Sequence, residues 1–279
     1  MATLFVVATP IGNLGDLTPR AAETLKSVGL IVCEDTRISG PLMHRIGTRA
    51  PLKAHFKGRE AEGVEEILAA LDAGTDVALI SDAGTPLVSD PGQRLVARAA
   101  DGGHRIVPIP GGSAPVALIS VAAFKTEAFT WIGFLPSPQQ ERRGTLSRYR
   151  DRPEALVFFE SPRRLVETLT DCMAVFGPNR PAVIGRELTK LHEEIVRGTL
   201  KELHGNFAAR ADIPGEVTVA VEGFTGETET VTLESLTPEI LEGIGKGEGT
   251  RQIAQRLAAV YGLPRRDVYE RVLELAGRK

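Results

Sequence analysis

The stretch VALISDAGTPLVSDPG, residues Val77–Gly92, joins a short apolar run to a long turn rich in glycine, proline and aspartate. Its first part, Val77–Ile80, has the length and apolar character of a buried strand. Its second part, Ser81–Gly92, holds two prolines and two glycines and cannot continue that strand. A fully buried strand that ends in a polar turn is typical of the parallel sheet of an α/β domain.

The same arrangement recurs in three other places in the first 125 residues. The turns TPIGNLGD (Thr9–Asp16), EDTR (Glu34–Arg37) and PGGSA (Pro110–Ala114) each follow a predicted strand. The strands predicted besides Val77–Ile80 are Leu4–Ala8, Leu30–Cys33, Leu52–His55 and Arg105–Ile109. Because the carboxyl ends of parallel strands share one edge, we expect the four loops to line one cleft. The alternative for any one loop is that its glycine, proline and aspartate residues only form the turn and contact no ligand.

The rest of the chain predicts a second α/β domain and a helical tail. Its predicted strands are Phe129–Phe134, Ala155–Phe159, Ala182–Gly185 and Val217–Val221. A segment with six acidic residues and one lysine, 225–248, precedes a basic helix-turn-helix-like tail. We therefore predict an α/β fold with an N-terminal parallel α/β domain (1–123), a C-terminal α/β domain (124–224) and an acidic linker with a helical tail (225–279).

Composition excludes several classes of protein. The 33 Lys and Arg residues against 36 Asp and Glu residues give a net charge of -3, so any nucleic-acid contact must be local. Cys33 and Cys172 lack the spacing of a zinc site, and the five histidines show no HExxH pattern, so we predict no metal. The longest apolar run, Ala114–Phe124, is too short to span a bilayer, and MATLFVVATP is typical of a first strand and not of a signal peptide.

The familiar nucleotide and hydrolase motifs are missing from the sequence. It contains no GxGxxG after a strand, no GxxxxGK[ST] and no GxSxG. Gly84 and Gly111-Gly112 suit a close approach of the backbone to a ligand, while Asp82 and Ser113 offer an acceptor and a donor. We therefore expect a small polar cofactor at the four loops.

Seven strings resemble one known family. They are TPIGNLGDLTPRA, CEDTR, SDAGTPLVSDPG, PIPGGSA, GFLP, ESPRR and RELTKLHEE. Together they resemble the tetrapyrrole methylases, the class III methyltransferases that use S-adenosylmethionine. Within that group they look closely like the bacterial 16S ribosomal RNA cytidine 2′-O-methyltransferases. The resemblance spans roughly residues 3–222 and is weaker in the tail.

The resemblance implies the cofactor, its site and the substrate. It implies two α/β domains with S-adenosylmethionine in the cleft between them, a homodimer, and a 16S ribosomal RNA substrate within the small subunit, at cytidine 1402 of the decoding centre in the family. The cofactor-binding residues it implies in the first domain are Pro10, Asp82, Ala83, Gly84, Thr85, Ser113 and Ala114. From the second domain it implies Phe159, Leu188, Val217 and Thr218, on the adenine side.

Methyl transfer to a ribose hydroxyl needs a base or a cation that stabilises the alkoxide. The candidates are Glu34, Asp35, Glu187 and Lys190. Glu34 and Asp35 follow a strand directly, so one of them should point into the cleft. Asp35 alternatively pairs with Arg37 or caps the next helix. Glu187 and Lys190 have the spacing of a helical pair, and a surface ion pair is their alternative.

Local clusters of arginine predict an RNA-binding face despite the negative net charge. Residues 138–164 contain seven arginines and four acidic residues. Arg163 and Arg164 lie in the first turn of a predicted helix, where the helix dipole disfavours cations, and the same placement recurs at Arg265-Arg266. Phosphate contacts would offset that cost, and a solvated face is the alternative. The predicted RNA-binding residues are Arg37, Arg142, Arg143, Arg163, Arg164, Arg265 and Arg266.

The leading interpretation is therefore a cytoplasmic ribosomal RNA ribose methyltransferase without a membrane partner. Two alternatives stay open. A methyltransferase of the same fold that acts on a tetrapyrrole or a protein side chain would need a large apolar pocket. A nucleic-acid-binding regulator would be built around the helical tail, with the α/β body as a ligand sensor.

Overall fold

A computed structural model describes residues 2–54, 60–226 and 232–277. The chain divides into two compact units. The first unit consists of Met1–Ala117 and Glu187–Glu193, and the second of Leu118–Arg186 and Glu194–Lys279. This division differs from the predicted one in three ways. The first unit ends at Ala117 and not at residue 123, a short segment from the second half of the chain belongs to the first unit, and the tail belongs to the second unit.

The first unit is built on a five-stranded parallel sheet. Its strands are β1 (Thr3–Val7), β2 (Leu30–Cys33), β3 (Leu52–Ala54), β4 (Val77–Ile80) and β5 (Arg105–Ile109). Their order in the sheet is β3-β2-β4-β1-β5. The parallel pairing agrees with the prediction, and three strands have the predicted bounds. His55, the last residue of the predicted third strand, lies outside the described residues.

Helices cover both faces of this sheet. They are α1 (Pro19–Ser27), α2 (Thr36–Ile46), α3 (Glu60–Asp72) and α4 (Gln93–Asp101), whereas the next helix, α5 (Ala114–Ser120), begins in the first unit and ends in the second. Val77 and Leu79 pack in an apolar cluster with residues of α3 and α4. Ala78 and Ile80, which point the other way, pack in a cluster with residues of α1 and α2. A strand buried on both faces explains why β4 is apolar at every position.

The second unit contains a mixed sheet. Its strands are β6 (Phe129–Phe134), β7 (Ala155–Glu160), β8 (Pro181–Arg186), β9 (Glu194–Thr199) and β10 (Val217–Val221), in the order β6-β7-β10-β8-β9. β6 and β7 pair in parallel, and the other pairs are antiparallel. α6 (Gln139–Ser147), α7 (Leu165–Phe176) and α8 (Leu200–Ala208) belong to the same unit.

Strand β9 has no counterpart among the predicted strands. Its apolar residues are limited to Ile195 and Val196, between Glu194 and Arg197, so the segment has no run long enough to predict a strand. β9 forms because it pairs with β8 along its whole length, from Arg186 opposite Glu194 to Pro181 opposite Thr199. The residues between these two strands are the segment that belongs to the first unit.

The tail forms three helices around an apolar cluster of their own. They are α9 (Thr237–Gly245), α10 (Thr250–Tyr261) and α11 (Arg265–Ala276). Gly262 ends α10 in the left-handed conformation at φ 65°, which lets the chain turn into α11. The tail contacts the rest of its unit through α10 and α7, and Lys201 of α8 pairs with Glu239 of α9 at 2.6 Å.

Candidate active site

Three of the four predicted loops are bonded to one another at the carboxyl edge of the first sheet. The Thr9 amide, after β1, donates a hydrogen bond to the Gly84 carbonyl, after β4, at 2.8 Å. The Thr85 hydroxyl donates to the Gly112 carbonyl, after β5, at 3.0 Å. The Ser81 hydroxyl donates to the Gly84 carbonyl at 3.0 Å. The loops therefore form one bonded surface.

The glycines of these loops serve loop-to-loop packing. Gly84 has φ 83°, and a Cβ there would lie 3.0 Å from Cγ2 of Ile11. A Cβ on Gly111 would lie 3.0 Å from Cβ of Ala8, and one on Gly112 would lie 3.2 Å from the Thr9 carbonyl oxygen. Close approach was expected on account of a ligand. The loops themselves already require it, because their backbones touch.

Asp82 links the fourth loop, after β2, to the other three. Its Oδ1 accepts hydrogen bonds from the Asp35 amide at 3.2 Å and from the Ser39 hydroxyl at 3.4 Å. The predicted first-domain cofactor residues thus share one sheet edge and, apart from Gly84, keep some exposed surface: Pro10, Asp82, Ala83, Thr85, Ser113 and Ala114.

Asp35 has the structural role given as its alternative. Its Oδ1 accepts a hydrogen bond from the Arg37 amide at 2.8 Å and caps α2, while its Oδ2 pairs with the Arg37 guanidinium at 2.6 Å. The hydrogen bonds from Arg37 lower the pKa of Asp35 to about 2. A carboxylate with so low a pKa is a weak proton acceptor near neutral pH, so Asp35 is a poor candidate for the base.

Glu34 lies on a small pocket at the carboxyl ends of β2 and β4. Cys33, Ser81, Asp90 and Pro91 also line this pocket. Burial raises the pKa of the Cys33 thiol to about 11, so the thiol stays protonated and is a poor nucleophile. The carboxylates of this pocket are Glu34 and Asp90, and Glu34 is the one that the sequence predicts as a candidate base.

Glu187 and Lys190 form an ion pair of 2.8 Å, but on a turn and not on a helix. The Lys190 amide donates to the Glu187 carbonyl at 3.0 Å, which closes the turn. Glu187 has φ 52° and Thr189 has φ 65°. Both values lie in the left-handed region, which residues other than glycine rarely adopt. The prediction of a helical pair is corrected here: a three-residue spacing suits a tight turn equally well. We call the segment Glu187–Glu193 the ELTK turn.

The ELTK turn also changes the assignment of Leu188. We expected Leu188 to act from the second domain, but it belongs to the first compact unit, where it is 7% exposed. A Cβ on Gly12 would lie 3.1 Å from the Leu188 carbonyl oxygen, so the turn packs on the loop after β1. Glu187, Lys190 and the predicted cofactor residues of the first domain are therefore parts of the same unit.

The remaining predicted cofactor residues lie in the second sheet. Thr218 of β10 is opposite Phe159 of β7, so the two share one face of that sheet. Val217 points the other way, into the apolar core with Phe158. Trp131 packs edge-on against Phe159 with a centroid separation of 4.4 Å. Phe159 and Thr218 stay candidates for the adenine side. The side chain of Val217 belongs to the apolar core and does not face that side.

Arg142 is not available to RNA. Its side chain is 0% exposed, and it pairs with Asp171 at 2.7 Å and with Glu167 at 2.6 Å. The predicted RNA contact at Arg142 is therefore corrected to a buried ion pair that joins α6 to α7. Arg143 also pairs with Asp171, at 2.6 Å, but its side chain is 44% exposed.

The anion that offsets Arg164 is internal. Arg164 pairs with the buried carboxylate of Glu160 at 2.6 Å and also donates to the Ser137 hydroxyl at 2.7 Å. The helix-dipole argument for an external phosphate therefore fails at Arg164. It stands at Arg163, which is exposed and has no ion-pair partner within the described residues.

The tail shows the same contrast between neighbours. Arg266 pairs with Glu270 at 3.0 Å on the surface of α11. Arg265 is exposed and, among the residues that the structure describes, has no ion pair. Arg37 is 88% exposed although it is paired with Asp35. Arg37 and Arg266, at 88% and 86% exposed, thus keep much surface for a phosphate although each has an internal partner, and Arg163 and Arg265 are exposed with no ion pair among the described residues.

Gly12, Thr189 and Glu160 are residues of interest that the sequence does not reveal. Gly12 lies inside the quoted TPIGNLGD, but its contact partner lies 178 positions away at Lys190, and no local pattern predicts such a pair. Glu160 is hidden because a carboxylate at the end of an apolar strand resembles an exposed residue.

Neither a metal cluster nor a membrane-spanning helix occurs in the described part of the chain. No group of three or more His, Cys, Asp or Glu side chains there is arranged to hold a metal ion. None of the described helices combines the length and the apolar character needed to cross a bilayer.

Comparison with known proteins identifies similar sequences over almost the whole chain. Residues 3–204 match the model of the family described as Tetrapyrrole (Corrin/Porphyrin) Methylases. The chain is 44% identical over 274 residues to the ribosomal RNA small subunit methyltransferase I of Mesorhizobium japonicum, with 98% of this chain and 92% of that one aligned. It is 39% identical over 276 residues to the protein of the same name from Synechocystis, with 99% of each chain aligned.

Solved structures with much lower identity share the fold. The uroporphyrin-III C-methyltransferase of Thermus thermophilus, complexed with S-adenosyl homocysteine, is 17% identical and has a TM-score of 0.57. The alignment covers 79% of this chain and 97% of that one. At this level of identity the likeness concerns the architecture.

Proposed function

Because this chain belongs to the tetrapyrrole methylase family, we propose that it methylates the ribose 2′-hydroxyl of a cytidine in 16S ribosomal RNA. It is an S-adenosylmethionine-dependent methyltransferase of small-subunit ribosomal RNA, as its near full-length relatives are named. The ribose oxygen and the cytidine are the finer parts of the proposal. The observation that carries it is the meeting of the strand-end loops and the ELTK turn in one unit.

The residues at this sheet edge fit S-adenosylmethionine. The cofactor presents an ammonium, ribose hydroxyls and an apolar chain around its sulfur. The Asp82 carboxylate already accepts hydrogen bonds from Asp35 and Ser39, and it suits an ammonium or a hydroxyl. Ile11 and Leu188, both less than 10% exposed, offer apolar surface. In the second unit, the ring of Phe159 suits a planar adenine.

The ELTK turn supplies the acid-base groups of the proposed reaction. When bound, S-adenosylmethionine would supply an electrophilic methyl group for transfer from its sulfur to the ribose oxygen. Glu187 accepts the proton that the 2′-hydroxyl loses, and the Lys190 ammonium stabilises the developing alkoxide. The loops after β1, β4 and β5 hold the reacting atoms in line, an effect worth roughly 7 to 11 kcal/mol.

RNA binding is proposed for the exposed arginines. Arg163 and Arg265 each follow a proline at the start of a helical turn, and neither has an internal anion among the described residues. Replacing both with glutamate should lower the affinity for ribosomal RNA and reduce the slope of log K against log salt by about one for each phosphate that the protein no longer neutralises. Filter binding at several salt concentrations measures both quantities.

The matched control for this charge reversal is Arg105→Glu. Arg105 is exposed at the amino end of β5, at the edge of the sheet opposite to the strand-end loops. The Arg105→Glu variant should bind ribosomal RNA with an affinity and a salt slope close to those of the wild-type protein. Because Arg105→Glu changes the charge by two, a loss in this control as large as in Arg163→Glu or Arg265→Glu alone would point to overall charge and would remove both residues from the RNA face.

Three further features belong to the proposal. The family resemblance supports a homodimer, and a small-subunit substrate supports a cytoplasmic location. The two cysteines are buried and free, which suits a reducing compartment.

The test is methyl transfer with tritiated S-adenosylmethionine. Purified protein is incubated with small ribosomal subunits from a strain that lacks the modification, and separately with bare 16S RNA. Label should appear in the RNA and map to one cytidine ribose by resistance to alkaline cleavage on its 3′ side. Transfer to a base, or no transfer to either substrate, would refute the proposed chemistry.

The same assay separates the alternatives. Uroporphyrinogen III in place of RNA tests a tetrapyrrole acceptor, which is the substrate class named for the fold relative from Thermus. Label in that product and none in RNA would favour the tetrapyrrole interpretation. Tight, sequence-specific DNA binding without transfer would favour the regulator built around the tail.

A further inference from the structure

Gly12 lies where the ELTK turn packs on the loop after β1. A Cβ on Gly12 would lie 2.3 Å from Cγ of Lys190, 3.0 Å from Oγ1 of Thr189 and 3.1 Å from the Leu188 carbonyl oxygen. All three atoms belong to the turn. The first distance is far below van der Waals contact, and Cγ lies near the start of the lysine side chain. The stem of Lys190 therefore occupies the space that a side chain at position 12 would fill.

The turn that presents Lys190 is strained and is held from several sides. Thr189 is β-branched, and its φ of 65° is a rare conformation for such a residue. The Glu193 carboxylate accepts a hydrogen bond from the Thr189 amide at 2.6 Å, and the Glu187 carbonyl accepts one from Lys190. The buried Thr189 hydroxyl has no hydrogen-bond partner among the described residues. Strain of this kind persists only where the surroundings enforce it, and the packing on Gly12 is part of that enforcement.

We propose that Gly12 is a positioning residue: it leaves open the space in which the Lys190 stem lies and so fixes the Glu187–Lys190 ion pair beside the loop after β1. This inference rests on the proposed function for the roles of Glu187 and Lys190. It adds a requirement that the proposed function does not contain, because it assigns the position of the pair to a residue with no side chain.

Gly12→Ala tests the requirement directly. The φ of Gly12 lies outside the left-handed region, so alanine is compatible with the backbone and the effect is steric. Displacing the pair by about 1 Å should lower kcat roughly 100-fold, while KM for RNA and the affinity for S-adenosylmethionine change little. Steady-state transfer to small subunits measures kcat and KM, and calorimetry measures cofactor affinity.

The matched control is Gly40→Ala, in α2 of the same unit. A Cβ there meets nothing within 4 Å, and alanine favours a helix over glycine. This variant should keep wild-type kcat. A Gly12→Ala enzyme with kcat equal to that of Gly40→Ala would overturn the inference while leaving the methyltransferase itself in place.

A double variant shows whether Gly12 acts through Lys190. In Lys190→Ala the Cγ atom is gone, so adding Gly12→Ala should cost less than about threefold in kcat. A further loss as large as in wild type would mean that Gly12 acts by another route and would refute the proposal.

A measurement that needs no activity completes the test. Lys190 is 28% exposed and paired, whereas Lys26 is exposed on α1. Acetylation followed by peptide mass spectrometry should show faster labelling of Lys190 in Gly12→Ala, with labelling of Lys26 unchanged. Equal labelling of Lys190 in both proteins would contradict the proposal, even if the wild-type protein failed to methylate RNA.

Discussion

Replacing Glu187 with glutamine is expected to lower kcat for RNA methylation by roughly 100-fold to 10,000-fold, the range associated with loss of a general base. Glutamine has nearly the same size as glutamate, and its carbonyl oxygen can still accept the hydrogen bond that Lys190 donates at 2.8 Å. It cannot accept a proton from the ribose hydroxyl. The loss should therefore appear in the chemical step, measured as single-turnover transfer with both substrates saturating.

Glu34→Gln is the comparison that decides between the two candidate bases. Glu34 lies on a small pocket at the carboxyl edge of the first sheet, and Asp35 is a poor candidate because it is paired with Arg37. If Glu187 is the base, Glu34→Gln should keep most of the activity. A Glu187→Gln enzyme with wild-type single-turnover rate would remove Glu187 from the mechanism, and a large loss in Glu34→Gln would transfer the role to Glu34.

Replacing Arg142 with methionine should destabilise the second unit by about 3 kcal/mol, because it removes the buried cation that pairs with Asp171 and leaves this carboxylate only the half-exposed Arg143 and the Gln139 amide. Asp171 is 0% exposed, and Arg142 pairs with it from a position that is also 0% exposed. The methionine side chain fills much of the volume but donates no hydrogen bond. Urea titration followed by the fluorescence of Trp131, the single tryptophan of the chain, reports on this unit.

Arg143→Met is the control for Arg142→Met. Arg143 contacts the same carboxylate at 2.6 Å but is 44% exposed, so water can replace it and the loss should be below about 1 kcal/mol. At a temperature where both variants are folded, Arg142→Met should also bind RNA with wild-type affinity. A stable Arg142→Met protein with weakened RNA binding would restore the RNA role that burial argues against.

The first sheet was predictable because its signals are local. The run Val77–Ile80 is apolar at every position and is followed by Ser81, Asp82 and, after one alanine, Gly84. The eight residues Val77–Gly84 are therefore enough to predict both the strand and its end. The bounds of β2, β4 and β5 were predicted as observed for this reason. The position of the loops at one edge then follows from the parallel pairing alone.

The candidate site was predictable only in part, because its decisive contacts are not local. The Glu187 and Lys190 residue types were found from the sequence, but their spacing fits a helix as well as a turn. The contact between Gly12 and Lys190 depends on the path of the chain between β8 and β9, and β9 itself forms through pairing with β8. Arg142 and Arg163 both lie in arginine pairs near the start of a helix, so the sequence predicts the same RNA contact for each. The structure shows that Arg142 is buried and Arg163 is exposed.

The membership of the ELTK turn in the first unit has a consequence for biosynthesis. When residues 1–117 have emerged from the ribosome, all five strands of the first sheet have been synthesised. The seven residues that complete the unit, Glu187–Glu193, have not. Domains generally fold as they emerge, amino-terminal first. Here the amino-terminal unit reaches its finished form only after Glu193 has left the exit tunnel, when more than two thirds of the chain has been translated. The proposed reaction centre would thus be assembled late, and neither piece of a chain cut between Ala117 and Leu118 would contain all of it.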